Sequence, residues 1–155
     1  MGWNFTPMTA EAAQAIALWQ YEPPYDFYNW PVEEAPTAMV IPDAFVSFDL
    51  HGRPAGTFSF GSDGQIPTVE ENPYGPGFLD IGLRLRPDLC GQGLGESYVK
   101  AGLSFGREQY QAERFRLSVA AFNQRAIKTY EKCGFSLERE VTNPYYKNKF
   151  LIMTR

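Results

Sequence analysis

The sequence predicts an α/β chain in which one strand, two helices, three strands, a helix, a strand, a helix and two strands follow one another. Three observations carry that expectation. An apolar run over 78–86 ends at Pro87 and is followed by glycines at 91, 93 and 95. The segment 96–110 behind those glycines reads only as a helix. Residues 114–121 then alternate Phe115, Leu117 and Val119 against Arg116 and Ser118, the period of a strand, before a second helical segment begins.

The elements follow in order. Residues 3–6 form a short first strand. Thr9 caps a helix over 10–21, with Ala12, Ala13, Ile16, Leu18 and Trp19 on its apolar side, and Glu22-Pro23-Pro24 ends it. The aromatic, proline-punctuated stretch 25–36 holds one short helix around 26–30. Strands over 45–50 and 54–61 pair as a hairpin about His51-Gly52-Arg53, and 61–77 is a long loop rich in Gly, Pro and acids. Asn123 caps a helix over 124–133, because its side-chain oxygen can take a free N–H of the first turn. Gly134 ends that helix in the left-handed conformation. Strands over 136–142 and 146–154 close the chain around Asn143-Pro144. Repeats and biased segments are absent, so 1–155 is expected to be one domain.

With 155 residues, 44% hydrophobic and 15% aromatic, the chain can bury the core of a single domain. No apolar run approaches the roughly 20 residues of a membrane span. Met1-Gly2-Trp3-Asn4-Phe5-Thr6 has neither the basic nor the apolar region of an export signal, and Pro7 argues against myristoylation of Gly2, so a cytoplasmic location is expected. Cys90 and Cys133 cannot build a zinc site and read as reduced thiols, so no metal is expected. Residues 1–80 carry eleven acids against Arg53 alone, whereas 81–155 carry thirteen basic residues against seven acids. The acidic half would favour a cationic acceptor or is plain solvated surface; the basic half suits a phosphorylated ligand. Nucleic-acid binding is disfavoured by the acidic balance and by the lack of a basic patch interleaved with aromatics.

The glycines at 91, 93 and 95 point to that ligand. Strand, glycine loop and helix start aim backbone amides at a phosphate. The spelling excludes a Walker loop, because Glu96-Ser97 follows Gly95 where Lys-Ser/Thr is needed. It also excludes a dinucleotide fingerprint, whose third glycine comes one residue later. Cys90-Gly91-Gln92-Gly93-Leu94-Gly95 instead resembles the pyrophosphate loop of the GNAT-type N-acetyltransferases, Arg/Gln-x-x-Gly-x-Gly/Ala. Asn123-x-x-Ala126-x-x-x-Tyr130-x-x-x-Gly134-Phe135 is similar to that family's second signature, in the right order behind the first.

The resemblance implies the GNAT fold: a mixed, highly twisted sheet of about six to seven strands with helices on both faces. It implies acetyl-coenzyme A as donor, with the pyrophosphate on Cys90, Gly91, Gln92, Gly93, Leu94, Gly95 and Glu96. The pantetheine arm would lie beside the strand at Leu83 and Leu85 and touch Asn123. Cys90 departs from the family's Arg or Gln, and Arg84, Arg86, Arg125 or Lys128 is expected to supply charge instead. A thiol beside a helix N-terminus also raises a redox-sensitive reading of Cys90.

The chemistry implied is direct transfer of acetyl to an amine of a small molecule or peptide within a ternary complex. Tyr130 would protonate the departing thiolate, and an N–H near Leu83 to Leu85 would stabilise the carbonyl oxygen. Asp80, Glu70 or Glu71 is the candidate base. Tyr25, Asp26, Tyr28 and Trp30 are the candidate acceptor wall, although a packed aromatic core explains these residues equally. The sole histidine, His51, is a turn residue rather than a base. A non-catalytic acyl-coenzyme A sensor is the alternative, and monomer and homodimer remain equally compatible with the sequence.

Overall fold

The computed structural model describes residues 2–145 and 148–155. Its elements are β1 (Thr6–Pro7), α1 (Ala10–Ile16), β2 (Ala44–Phe48), β3 (Pro54–Phe60), β4 (Leu79–Leu85), α2 (Gly95–Tyr110), β5 (Phe115–Ala120), α3 (Gln124–Lys132), β6 (Ser136–Thr142) and β7 (Lys149–Thr154). The strands form one seven-stranded sheet in the order β1-β2-β3-β4-β5-β7-β6. Every pairing is antiparallel except β4 with β5, so the sheet is mixed as expected.

Helices cover both faces. Tyr98, Val99 and Leu103 of α2 and Ile127 of α3 pack with Phe58, Phe60, Ile81, Phe115 and Leu117 in the main core. On the opposite face, Ala12, Ala13 and Ile16 of α1 pack with Met39, Ala44 and Val46. Close approach of α2 to the sheet depends on Gly102, where a Cβ would stand 2.1 Å from the Phe58 ring. Phe58 is fully buried and cannot yield. Gly102→Ala should therefore destabilise the fold by about 1–3 kcal/mol despite the better helix propensity of alanine. A fall of several degrees in the melting temperature would show it.

The caps are where the sequence puts them. Thr9 Oγ1 accepts from Ala12 N–H at 3.1 Å, Asn123 Oδ1 accepts from Ala126 N–H at 3.1 Å, and Gly134 ends α3 at φ 94°. Three boundaries differ by more than two residues. The first ladder is Thr6–Pro7 rather than 3–6, because Trp3 and Phe5 turn onto α2, where their rings lie 4.7 Å and 5.6 Å from Tyr98. The first helix stops at Ile16 instead of reaching Tyr21. Leu18 and Trp19 N–H bond back three residues, to Ala15 and Ile16, so the α-helical ladder ends in a tighter turn that buries Trp19 in the same core and leaves Leu18 exposed. The last ladder begins at Lys149; Tyr146 and Lys147, in the expected strand, lie outside the described residues. A 3-10 turn over Pro36–Met39, unforeseen in the sequence, adds Met39 to the α1 core.

Candidate active site

A slot opens in the middle of the sheet where its two parallel strands part. β4 and β5 pair only through Leu79↔Phe115, Asp80↔Arg116 and Ile81↔Leu117. Beyond Ile81 they diverge, and a cavity of about 310 Å³ occupies the gap. Its wall includes Gly82 to Leu85 of β4 and Ser118 and Val119 of β5.

The ladder with β3 determines what β4 presents to this slot. Arg86 N–H donates to Ala55 C=O at one end and Gly61 N–H to Asp80 C=O at the other, each at 2.8 Å. Antiparallel pairs alternate along a strand, so Gly82 and Arg84 share that parity and exchange bonds with β3. The N–H and C=O of Leu83 and Leu85 therefore point to the slot, an open strand edge for an amide-bearing arm. The Leu85 carbonyl also accepts the Tyr21 hydroxyl at 2.6 Å.

One mouth of the slot lies at the glycine loop. Gly91 and Gly93 have φ of 74° and 77°, a conformation other residues adopt only with strain. Gly95 begins α2, and its Cβ would crowd Thr129 of α3 at 3.2 Å. Leu94 caps α2 with no side-chain bond, so the first amides of a 16-residue helix carry no side-chain partner. Together these amides form a cradle that a glycine backbone keeps free of side chains, which fits a pyrophosphate.

Cations stand near that cradle in unequal states. The Arg125 guanidinium lies 4.3 Å over the Tyr25 ring and 3.6 Å from where a Cβ of Gly91 would be. Arg86 is engaged, with Asp88 at 2.6 Å and Asp49 at 2.9 Å. Lys128 is exposed and off the slot wall. The Cys90 thiol faces the carbonyl oxygens of Leu85 and Arg86, each at 3.7 Å, and burial pushes its pKa up. A low-pKa, redox-active Cys90 is therefore disfavoured, because the helix terminus does not outweigh desolvation of the thiolate.

Tyr130 lines the slot from α3, with its ring 6.2 Å from Phe135. Burial pushes its phenol above the ordinary value, so it stays protonated through the neutral range. Asn123, besides capping α3, donates its amide to the Tyr28 hydroxyl at 3.2 Å, tying α3 to the 3-10 turn Tyr25–Tyr28. Tyr25 and Tyr28 line the slot; Asp26 is exposed and does not.

Neither Asp80 nor Glu71 reaches the slot wall. Asp80 is 4% exposed, and its two oxygens take Arg116 at 2.6 Å and 2.7 Å. Gln65 Nε2 adds a third bond at 2.9 Å. Glu71 lies exposed on the loop, and Glu70 accepts from Thr142 N–H at 2.9 Å. His51 sits in its turn, its N–H donating to Asp49 Oδ1 at 2.8 Å. Among the described residues, the carboxylate on the slot wall is Asp63, which in the sequence is one acid among several in the loop over 61–77. It sits in a 3-10 turn, Ser62–Gly64, pressed so closely onto β4 that a Cβ at Gly64 would be 2.8 Å from the Ile81 carbonyl. The glycines flanking it at 61 and 64 are the sequence signal that could have singled it out. Among the described residues no cluster of His, Cys, Asp or Glu could hold a metal, and no helix is long and apolar enough to cross a membrane.

Comparison with known proteins adds three findings. A family model described as acetyltransferase (GNAT) family matches residues 6–135. Aminoglycoside acetyltransferase AAC(6')-Ib in complex with coenzyme A superposes with a TM-score of 0.75 at 20% identity, over 99% of this chain and 94% of that one. A spermidine N-acetyltransferase chimera, SpeG from Vibrio cholerae with hSSAT, gives 0.73 at 17% identity, over 99% and 95%. A GNAT-family acetyltransferase from Bacillus anthracis gives 0.73 at 13%, over 97% and 92%. Among curated proteins, none matches this chain in sequence.

Proposed function

This chain belongs to the acetyltransferase (GNAT) family, and from that premise we propose that its residues 1–155 act as one domain that transfers acetyl from acetyl-coenzyme A directly to an amine. The observation that carries this reading is the slot itself: a glycine cradle at one mouth, an amide-presenting strand edge along it and a protonated phenol on its wall. The relatives of similar fold support it, being an aminoglycoside acetyltransferase solved with coenzyme A and a spermidine N-acetyltransferase.

Bound acetyl-coenzyme A would supply an activated acetyl group as a thioester. The amides of Gly91 to Gly95 would bind its pyrophosphate, with Arg125 adjacent. Leu83 and Leu85 would hold the pantetheine arm by their N–H and C=O. The N–H at Leu83 would stabilise the acetyl oxygen as it turns negative. Asp63, directly or through water, would take the proton the amine loses as its nitrogen bonds the carbonyl carbon. Tyr130 would protonate the sulfur as the C–S bond breaks. Asp80, paired with Arg116, would serve the reaction only by fixing Gln65 and the Asp63 turn.

Acceptor-dependent thiol release from acetyl-coenzyme A, assayed across amines and peptide N-termini, tests the proposal; failure to bind coenzyme A would sink it. Gly93→Val tests the cradle separately. No atom lies near a Cβ at that position, so the change acts through its positive φ alone. A strain of about 1–3 kcal/mol in the loop should weaken coenzyme A binding by about tenfold or more, with the fold intact. Titration calorimetry and circular dichroism would read the two effects.

A further inference from the structure

Three arginines stand on or beside the strands of the slot, and one of them has no carboxylate within ion-pair distance among the described residues. Arg116 grips Asp80 and Arg86 grips Asp49 and Asp88, all at 2.6–2.9 Å. Arg84 lines the cavity, yet among the described residues no carboxylate lies within 4.0 Å of it. Its guanidinium lies under Trp30, 5.8 Å from the ring centroid, and donates to the Met39 sulfur at 3.8 Å. The other ionisable groups facing it are Tyr21 and Asp63, and burial pulls its pKa down. A guanidinium carries five N–H donors in a planar fork built for a carboxylate, and a thioether satisfies almost none of that capacity. Asp63 stands beyond ion-pair distance, so the half-buried guanidinium is only partly compensated.

Position excludes the donor's phosphates as the missing anion. Leu83 and Leu85 pack toward the α2 and α3 core, so Arg84 between them projects to the opposite face, beneath the α1 layer. The glycine cradle and Arg125 belong to α2 and α3. Arg84 stands instead on the face of Tyr21 and Asp63, where an acceptor would enter.

We infer that Arg84 binds a carboxylate of the acceptor, so that the substrate is a small amino-carboxylate rather than a polycation. The inference rests on the acetyl-transfer reading of the slot. Arg84 would take the carboxylate by its fork, and Asp63, opposite in charge and on the same wall, would face the amine. The tyrosines at 25 and 28 offer an apolar, aromatic surface to the rest of the molecule. Aminoglycosides and spermidine lack a carboxylate, so this chain would diverge in acceptor from the relatives whose fold it shares.

Paired acceptors test this. Tyrosine and tyramine, and 4-aminobutyrate and propylamine, differ only by the carboxylate; each is titrated calorimetrically into the protein loaded with coenzyme A. The carboxylate member of at least one pair should bind on the order of 30-fold more tightly. Arg84→Met, which keeps the apolar stem under Trp30, should erase that preference while leaving coenzyme A affinity unchanged and the melting temperature no lower. Arg84→Lys keeps the charge without the fork and should restore part of it. Equal or tighter binding of the bare amines, a preference that survives Arg84→Met, or no binding by either carboxylate member overturns the inference. Thiol release from bare amines that is indifferent to Arg84 would remove this inference and leave acetyl transfer standing. Loss of coenzyme A binding in the wild type would remove both.

Discussion

Asp80→Asn is expected to lower the stability of the domain by about 3–5 kcal/mol, and with it the melting temperature by roughly 10 °C. The reason is the enclosure of the pair. Asp80 and Arg116 are register partners on β4 and β5, with side chains 5% and 4% exposed, joined by two bonds of 2.6 Å and 2.7 Å. Arg116 also donates to Gly75 C=O at 2.8 Å and lies over the Tyr74 and Phe78 rings, so it cannot swing to water. The carboxylate is what holds its guanidinium pKa above the ordinary value. An amide in its place leaves a buried cation without a counter-charge, and a total stability of about 5–15 kcal/mol tolerates that poorly. Replacing both partners together, as Asp80→Leu with Arg116→Met, should cost less than either single change, because no lone charge remains. Thermal unfolding of the three variants measures the ordering. The same series separates stability from catalysis: if Asp80→Asn melts like wild type yet loses turnover, the carboxylate serves the reaction through Gln65 and the Asp63 turn rather than through the stability of the pair.

The parts of this site that were legible in sequence are those fixed by neighbours along the chain. Asn123 as cap and Gly134 as stop follow from residue type and position along one helix, and Tyr130 from the resemblance to the family's second signature. The glycines at 91 and 93 declared a positive-φ loop before any fold was known. Arg84 reads in sequence as one of four candidate cations for the glycine loop, not as a side chain that Trp30 and Met39 cover. That cover comes from the 3-10 turn Pro36–Met39, which packs with α1 and β2. The insertion of β7 between β5 and β6 was equally hidden, since a hairpin can join a sheet by either strand. Asp63 was missed for the same cause: its turn is held over β4 by Gly64 against Ile81, by Gly61 N–H to Asp80 C=O and by Gln65 to the Asp80 side chain. None of these contacts is local.

Tyr130→Phe should lower kcat by about 10²–10⁴-fold while leaving the affinity for coenzyme A nearly unchanged. The substitution removes one oxygen and keeps the ring that faces Phe135, so α3 and the wall it forms are preserved. On the proposed mechanism, what is lost is the proton for the departing sulfur. The pH dependence carries the sharper test. A phenol ordinarily loses its proton near 10.0, and burial raises that value here. The acid form therefore persists above the point where an exposed tyrosine would have ionised, and kcat should show no decline from this group below about pH 10. In Tyr130→Phe the rate should instead be limited by expulsion of an unprotonated thiolate, so donors with better leaving groups should recover part of the loss. Stopped-flow thiol release on both proteins, across pH and with an activated thioester, measures each point. A mutant that turns over at the wild-type rate in a single-turnover experiment would transfer the acid role to solvent and reduce Tyr130 to a wall residue.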